Sequence, residues 1–326
     1  MMQTAVGQAI KSGVAWIGWR VPRPIGETRV ILLYHGTPRS TLAGRVDESA
    51  FSAHIQFLKQ HVEFITPQEF TVEHGGRRPR VLLTFDDGFR NNYEIARPIL
   101  QSQGIPAVFF VCVRPTQPGK VLWFAYLRAL EDYYSERTIH FRGERFPMQA
   151  GQRRSSMRRL TNLLLGLQPH PQAMYRAIED ELPPLADFMT EERILDVCAG
   201  MNAEQILNLA QDPLFTVGCH TVDHPFLTRC TPDEGARQIA ENKVWLERLI
   251  GGKQEEVAYP SGDYNARILA HCGALGFRRG YAVIPSERAS EQLELPRIGI
   301  YGTSLDTLGF VVRWGSVMRS MRITMG

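Results

Sequence analysis

The chain has 326 residues, of which 44% are hydrophobic and 22% are charged, so it is long enough and apolar enough to bury a sizeable core. A net charge of +3, with no basic run interleaved with aromatic residues, argues against a nucleic-acid-binding protein. The five cysteines are widely spaced and form no C-x-x-C pair, which argues against a disulfide framework and a thiolate zinc site. Composition therefore leaves one large α/β domain or two smaller ones.

Residues 1–29 form a separate N-terminal segment whose apolar residues Val6, Ile10, Val14 and Ile17 share one face of a predicted helix. This helix either packs on the domain or lies on a membrane surface. The segment lacks the basic start and uninterrupted apolar core of a secretory signal, and no run reaches the roughly 20 apolar residues of a spanning helix. We therefore expect a cytoplasmic protein, with peripheral contact at the inner membrane face as an extension of that prediction.

From residue 30 onward, short apolar runs alternate with helical patterns. Predicted strands occupy residues 30–34, 81–85, 107–111, 215–218, 257–259 and 277–283. Predicted helices occupy residues 48–60, 91–103, 232–249 and 265–275. Such alternation indicates a parallel sheet, and we predict a distorted or incomplete (β/α) barrel with its chemistry at the carboxyl ends of the strands.

Residues 113–212 break this rhythm and are interpreted as a largely helical insertion within a catalytic domain of residues 30–326. Predicted helices cover residues 122–134, 151–167, 172–182 and 190–212, and a hairpin covers residues 138–142 and 144–147. Four arginines begin the second of these helices: Arg153, Arg154, Arg158 and Arg159. They favour a solvated helix face over an anion-binding site.

Two motifs at strand ends indicate a metal-dependent hydrolase. Residues 84–88 read T-F-D-D-G, and residues 220–225 read H-T-V-D-H-P. Asp87, His220 and His224 would give a divalent ion, Zn²⁺ first and Co²⁺ or Ni²⁺ as alternatives, three ligands with open positions for water and substrate. The adjacent Asp86 could then act as a general base on a metal-activated water. The structural alternative is an Asp-Gly turn with a capping acid.

These segments resemble the polysaccharide deacetylase family, which shares the NodB homology domain and is also called carbohydrate esterase family 4. T-F-D-D-G is similar to its first motif, H-T-V-D-H-P to its second, and V-A-Y-P-S-G at residues 257–262 to its third. Residues 31–36 resemble the opening strand of one branch, and residues 295–298 resemble a late segment. The resemblance spans residues 30–300 outside the insertion. It implies metal-dependent removal of an acyl group, usually acetyl, from the nitrogen of an amino sugar.

The resemblance also implies a role for each matched residue. Asp86 is the base, Asp87, His220 and His224 are the metal ligands, and the backbone N–H of Ser261 helps to hold the oxyanion. No glycine-rich phosphate loop follows any strand, so no cofactor beyond the metal is expected.

The chain departs from the family pattern in its third motif and near its C-terminus. Ala258 stands where the family has an arginine that orients the base, so Arg297 or Arg278 is expected to replace that arginine. The late histidine that protonates the leaving amine has no match after residue 295, and His35 at the end of the first strand is the substitute candidate. His271 is expected to be structural.

Three residues are candidate substrate contacts: Arg297, Tyr264 and Trp123. The two aromatic rings could stack on a sugar, and core packing is the alternative for both. Asp223 could hydrogen-bond one of the predicted histidine ligands, or it could cap the turn.

The main functional hypothesis is an N-deacetylase acting on an acylated amino sugar of a glycan or glycan precursor. One alternative is a carbohydrate-binding relative with weak catalysis, which the retention of both Asp86 and Asp87 argues against. Another is a metal-dependent deformylase or cyclic amide hydrolase, which the identity of the released acid would reveal.

Overall fold

A computed structural model of the chain describes residues 29–40, 45–72, 78–283 and 292–320. The predicted N-terminal amphipathic helix lies outside these residues. Within the described ranges, no helix combines the length and the apolar character that crossing a bilayer requires.

Parallel strands form a closed barrel. The strands are β1 (Arg29–Tyr34), β2 (Glu63–Phe64), β3 (Arg80–Phe85), β4 (Ala107–Val111), β5 (Thr138–Phe141), β6 (Glu144–Pro147), β7 (Phe215–Cys219), β8 (Glu256–Ala258), β9 (Arg279–Ala282) and β10 (Leu295–Gly299). Seven of them follow the order β1-β10-β9-β8-β7-β4-β3, and β3 pairs back with β1 to close the ring. The short β2 pairs with the start of β3, and β5 and β6 form a separate hairpin.

The predicted barrel is confirmed, and the strand that the sequence pattern missed is the one that closes it. β10 lies between β1 and β9. Pro296 interrupts its apolar run, and a proline within such a run argues against a strand because it has no N–H to donate to the ladder.

Helices cover the outside of the barrel and make up most of the insertion. They are α1 (Glu48–His61), α2 (Pro67–Phe70), α3 (Arg97–Gln101), α4 (Trp123–Tyr133), α5 (Arg153–Leu165), α6 (Pro171–Glu181), α7 (Glu191–Val197), α8 (Ala203–Gln211), α9 (Pro232–Ile250), α10 (Ala266–Ala274) and α11 (Leu305–Ser320). Local sequence sets many of their ends. The Thr231 side chain caps the start of α9, and Gly251 ends that helix in the left-handed conformation.

Two predicted helices are interrupted. The helix predicted over residues 91–103 begins with a π-helical turn, Asn92–Ala96, because Pro98 has no N–H to donate to the preceding turn. The helix predicted over residues 190–212 breaks into α7 and α8. Between them, Ala199 and Gly200 form antiparallel bridges with Val121 and Phe89. A Cβ at Gly200 would lie 2.6 Å from Pro115, so glycine is required for this close approach.

Strand periodicity divides the core into an inner and an outer layer. Ile31, Leu82, Phe110 and Tyr281 belong to one buried cluster, made mainly of strand residues, that fills the barrel. Alternate strand positions pack outward against the helices in the largest cluster. Position 86 follows Leu82 by four residues, so the same alternation directs the first acid of T-F-D-D-G toward the barrel interior.

The insertion has its own hydrophobic core. Side chains of α4, α5, α6 and the β5–β6 hairpin form a cluster separate from the barrel, centred on the fully buried Leu130, Phe146, Leu160 and Met174. The predicted hairpin is present with its turn at Arg142 and Gly143. The limits of the insertion, residues 113–212, stay a prediction.

Candidate active site

A buried ion pair holds Asp86 at the top of the barrel. The Arg297 guanidinium, on β10, donates two hydrogen bonds to the Asp86 carboxylate at 2.6 and 2.8 Å. The Arg297 side chain is 0% exposed and the Asp86 side chain 4%. A bidentate contact fixes the plane of the carboxylate and keeps it ionised.

The turn after β3 brings the second acid to the same site. Neighbouring strand residues point to opposite faces, but Asp87 has φ +77° and Gly88 has φ +74°, so the chain turns sharply. A Cβ at Gly88 would lie 2.9 Å from Cγ1 of Val111. The D-D-G sequence therefore places Asp86 and Asp87 together only because glycine follows.

The second motif forms a strained loop after β7. Thr221 has φ +70° and His224 has φ +52°. Among the described residues, five that are not glycine have positive φ, and four of them lie in the three motifs: Asp87, Thr221, His224 and Ser261. Each such conformation costs about 1–3 kcal/mol, so the fold maintains strain where these motifs meet.

Asp87, His220 and His224 present ligand atoms that all lie within 4.8 Å of one another, and all three residues are buried. Nε2 of His224 lies 3.3 Å from Oδ1 of Asp87, and Nε2 of His220 lies 3.6 Å from it. Apart from these two imidazoles, neither carboxylate oxygen of Asp87 has a partner in the described part of the chain. A buried carboxylate that faces two imidazole nitrogens is a donor set that fits a divalent cation such as Zn²⁺.

The electrostatics of the cluster keep both acids ionised. Burial alone would raise the pKa of Asp87, but the His220 and His224 imidazoles outweigh it and hold that pKa below its ordinary value. The same competition lowers the pKa of Asp86, where Arg297 and His220 overcome burial. In return, Asp86 and Asp87 raise the pKa of His220 against the effect of burial.

A shell of hydrogen bonds orients the two histidines. Nδ1 of His220 lies 2.8 Å from the carbonyl oxygen of Ala258, a contact that makes Nδ1 the protonated nitrogen and leaves Nε2 facing Asp87. Oδ1 of the fully buried Asn242 accepts a hydrogen bond from the backbone N–H of His220 at 2.7 Å. Trp123 Nε1 donates to the carbonyl oxygen of His224 at 2.9 Å, and the Phe124 ring lies 4.7 Å from the His224 ring. The insertion thus supports one of the candidate metal ligands.

Of the two arginines proposed to orient the base, the structure selects Arg297. Arg278 is 70% exposed and pairs with Glu255 on the surface. The prediction that Arg297 contacts the substrate is corrected, because its guanidinium is fully buried and engaged by Asp86.

Trp123 and Asp223 both contact the second motif or its supports. Trp123 is 6% exposed and its Nε1 donates to the carbonyl oxygen of His224, yet its side chain also lines a groove together with Phe124 and Arg128, so its predicted contact with a sugar stays a prediction. The Asp223 carboxylate accepts from Gln238 Nε2 at 2.7 Å and forms no hydrogen bond with either histidine among the described residues. Tyr264 is half-buried, donates to Glu294 at 2.7 Å and packs on Tyr259. Its predicted contact with a sugar stays a prediction.

The two remaining catalytic candidates lie at the ends of β1 and β8. The His35 ring stacks on Tyr301 and faces a cavity of about 270 Å³ that is also lined by Phe89, Asn91 and Arg128. Burial lowers the pKa of His35, although Asp87 and Asp86 oppose this shift. Ser261 is exposed in the turn after β8, two residues beyond Tyr259. Their assignments as general acid and oxyanion donor stay predictions.

Comparison with known proteins agrees with this architecture. A family model described as polysaccharide deacetylase matches residues 74–120 and 169–280, which contain both the acidic and the histidine motif. The chain belongs to the polysaccharide deacetylase family. Membership supports a hydrolase that removes acetyl groups from a carbohydrate. Residues 121–168, which the family model leaves unmatched, lie within the predicted insertion.

Individual relatives are distant in sequence. YxkH of Bacillus subtilis (strain 168), named as a polysaccharide deacetylase, is 22% identical over 283 residues, which cover 85% of this chain and 71% of YxkH. The deacetylase PplD of Streptococcus pyogenes, solved with acetate, is 18% identical with a TM-score of 0.56 over 87% of this chain and 96% of that one. IcaB from Ammonifex degensii is 20% identical with a TM-score of 0.54, and the match covers 89% of this chain and 97% of IcaB. At these identities the solved structures establish the shared barrel fold.

Sequence reasoning missed Asn242 and Arg128 as residues of this site. Asn242 lies within the amphipathic α9, and nothing in its spacing from His220 marks it out. Arg128 lies in the insertion, one turn of α4 after Phe124. That spacing places Phe124 and Arg128 on one face of the helix. It would have identified Arg128 as a site residue if the position of α4 over the barrel had been known.

Proposed function

We propose that the protein is a metal-dependent N-deacetylase of an acylated amino sugar. The observation that carries this proposal is the buried Asp87 carboxylate, which faces two histidine nitrogens and has no other partner among the described residues. The Asp86–Arg297 ion pair beside it supplies a base that is held in the ionised form.

Asp87, His220 and His224 would hold the ion, most suitably Zn²⁺ given one carboxylate and two imidazoles. When bound, such an ion supplies Lewis acidity, which brings the pKa of a coordinated water down to about 7. Asp86 accepts the proton of the attacking water, and Arg297 keeps the carboxylate oriented for that transfer. His220 Nε2 lies 3.7 Å from Asp86 Oδ2, so the base and the ion site are direct neighbours.

Two further groups complete the proposed reaction. The Ser261 N–H donates to the oxyanion of the tetrahedral intermediate, because the left-handed turn at Ser261 and Gly262 reorients the backbone after β8. His35 lies beside the cavity near both acids, and burial keeps its imidazole neutral at first, so it relays to the departing amine the proton that Asp86 accepts from the water as the carbon–nitrogen bond breaks.

Removal of an acetyl group is supported by the relatives. One similar structure is a deacetylase described in complex with acetate. A deformylase or cyclic amide hydrolase would use the same ion and base, so the identity of the released acid separates the alternatives. A protein that only binds carbohydrate needs no base, so an ionised Asp86 directly beside the candidate ion ligands argues against that alternative. The cytoplasmic location and peripheral membrane contact remain part of this proposal.

Acid release from N-acetylated glucosamine oligomers by the zinc-loaded protein tests the proposed function. We expect acetate, and we expect Asp86→Asn to reduce kcat by about 100-fold or more because the base is lost while the ion ligands remain. Asp180→Asn is the matched control, since Asp180 is exposed on α6. Release of formate, or full turnover by the Asp86→Asn variant, would contradict the proposal.

A further inference from the structure

A groove lined by arginines adjoins the candidate active site. It has a volume of about 420 Å³ and lies between the start of α5 and the α4 face that carries Phe124 and Arg128. The arginines that line it are Arg45, Arg128, Arg154 and Arg158. Glu131 is the single acid among the described lining residues, so the groove is strongly cationic.

The groove is continuous with the site. Arg45 and Arg128 also line the cavity that contains His35, and Phe124 contacts the ring of His224. A substrate whose acyl group reaches the candidate metal site could therefore extend into the groove from the same side.

Arg154 and Arg158 have no acidic partner among the described residues, and Arg128 forms no direct ion pair there, although Asp87 and Asp132 attract its charge. Arg45 pairs with Asp132 at 3.1 Å. Arg128, Arg154 and Arg158 form no ion pair or hydrogen bond among the residues that the structure describes, and all three are exposed. By contrast, the other two basic residues at the start of α5 have structural partners: Arg153 donates to three backbone carbonyls, and Arg159 pairs with Glu144.

Arg154 and Arg158 are also one helical turn apart on the same face of α5. Like charges at this spacing destabilise a helix. Arg128 lines the same groove from α4, so three guanidinium groups are available there. Guanidinium groups arranged in this way match the oxygens of a phosphate group, which can accept from several at once.

We infer that the groove binds a phosphate group carried by the acylated amino-sugar substrate, so that the preferred substrate is a phosphate or diphosphate ester of the sugar rather than a neutral glycan. This inference rests on the proposed function for the class of sugar. It develops the alternative that the sequence left open for the basic start of α5, an anion-binding site, because the exposed Arg154 and Arg158 line the groove.

The test compares three probes: methyl N-acetylglucosaminide, N-acetylglucosamine 1-phosphate and uridine diphosphate N-acetylglucosamine. Their affinities are measured calorimetrically with the zinc-loaded full chain carrying Asp86→Asn, which prevents turnover and keeps the proposed ion ligands. We expect both phosphate-bearing probes to bind about tenfold more tightly than the neutral glycoside at low salt, with the difference shrinking at high salt.

The double variant Arg154→Gln/Arg158→Gln, built in the same background, should lose this preference. The expected loss is about tenfold, the sum of two partly exposed charge contacts. Arg145→Gln/Arg176→Gln is the matched control, because it removes the same charge from exposed positions that do not line the groove. If the phosphate of a probe instead bound the zinc ion at the candidate metal site, affinity would increase equally in all variants. Only the difference in affinity between the two double variants therefore reports on the groove.

The outcomes separate the inference from the proposed function. A gain with the monophosphate equal to that with the nucleotide assigns the binding to phosphate alone, and a gain with the nucleotide only assigns it to a diphosphate. Equal affinity for all three probes, or a preference that survives in Arg154→Gln/Arg158→Gln, overturns the inference. A third result would also overturn the inference: the protein binds phosphatidylglycerol vesicles through Arg154 and Arg158 but shows no preference among the three sugar probes. The groove would then contact a membrane. Groove-dependent phosphate binding by a protein that releases no acid from any acylated sugar would instead overturn the proposed function.

Discussion

Replacing Arg297 by methionine tests the buried ion pair that holds the candidate base. Methionine fills a similar volume without charge, so Arg297→Met leaves the Asp86 carboxylate in place and removes its counter-ion. The carboxylate would then remain within the barrel, 4% exposed, next to the second acid Asp87. The pKa of Asp86 would rise toward what burial favours, and the carboxylate would be a buried charge without its counter-ion.

The expected magnitude follows from the burial of both partners. Removing one partner of a fully buried ion pair costs about 3–5 kcal/mol of the free energy of unfolding, because an uncompensated charge remains. Adding Asp86→Asn to Arg297→Met removes that charge. The double variant should therefore be more stable than the sum of the two single effects predicts, by about 2–3 kcal/mol.

Urea denaturation in the presence of a chelator measures these free energies. Arg159→Met is the control, since Arg159 and Glu144 are 54% and 47% exposed and an exposed pair contributes only about 0–1 kcal/mol. If Arg297→Met costs no more than Arg159→Met, or if Asp86→Asn does not offset its effect, the reasoning about the buried pair is refuted.

Three further variants probe the strained loops and the histidine supports. Gly88→Ala should lower the free energy of unfolding by about 1–3 kcal/mol in thermal denaturation, because position 88 has φ +74° and its Cβ would meet Val111. Gly104→Ala, at φ +64° with open space around it, should cost less, and equal losses would contradict the clash. Trp123→Phe removes the donor to His224 and should weaken zinc affinity about tenfold in a chelator competition; unchanged affinity would show that this support is dispensable. Ser261→Gly should keep acetate release within a few-fold and slightly raise the melting temperature, because the proposed role belongs to the N–H and the turn has φ +55°; a loss above about tenfold would assign the role to the hydroxyl.

Local sequence was sufficient for the barrel and for both site motifs. Apolar runs ending in Asp86 and His220 mark strand ends, and parallel strands bring such ends to one side of a barrel. The clustering of Asp87, His220 and His224 follows from these short-range signals. β10 escaped detection because Pro296 weakened its strand pattern, although barrel closure depends on that strand.

The sequence alone did not settle contacts between distant segments, since it offered both Arg297 and Arg278 as partners of Asp86. Arg297 lies 211 positions from Asp86, and only the pairing of β10 with β1 brings it into the barrel beside that acid. The sequence left Trp123 as either a sugar-stacking or a core aromatic, and only the position of α4 shows that it packs against the loop that carries His224. The arginines of α5 divide into structural and groove-lining positions only when α4 and the β5–β6 hairpin are in place.

Zinc titration of acetate release tests the central claim most directly. The chain is stripped with a chelator, reloaded with increasing zinc and assayed on N-acetylated glucosamine oligomers, in parallel with His220→Ala/His224→Ala. We predict that the stripped protein is inactive, that activity saturates at about one zinc per chain, and that the double variant stays inactive at every zinc concentration. Full activity in the stripped protein, or zinc-dependent activity in the double variant, would contradict the assignment of Asp87, His220 and His224 as the metal site.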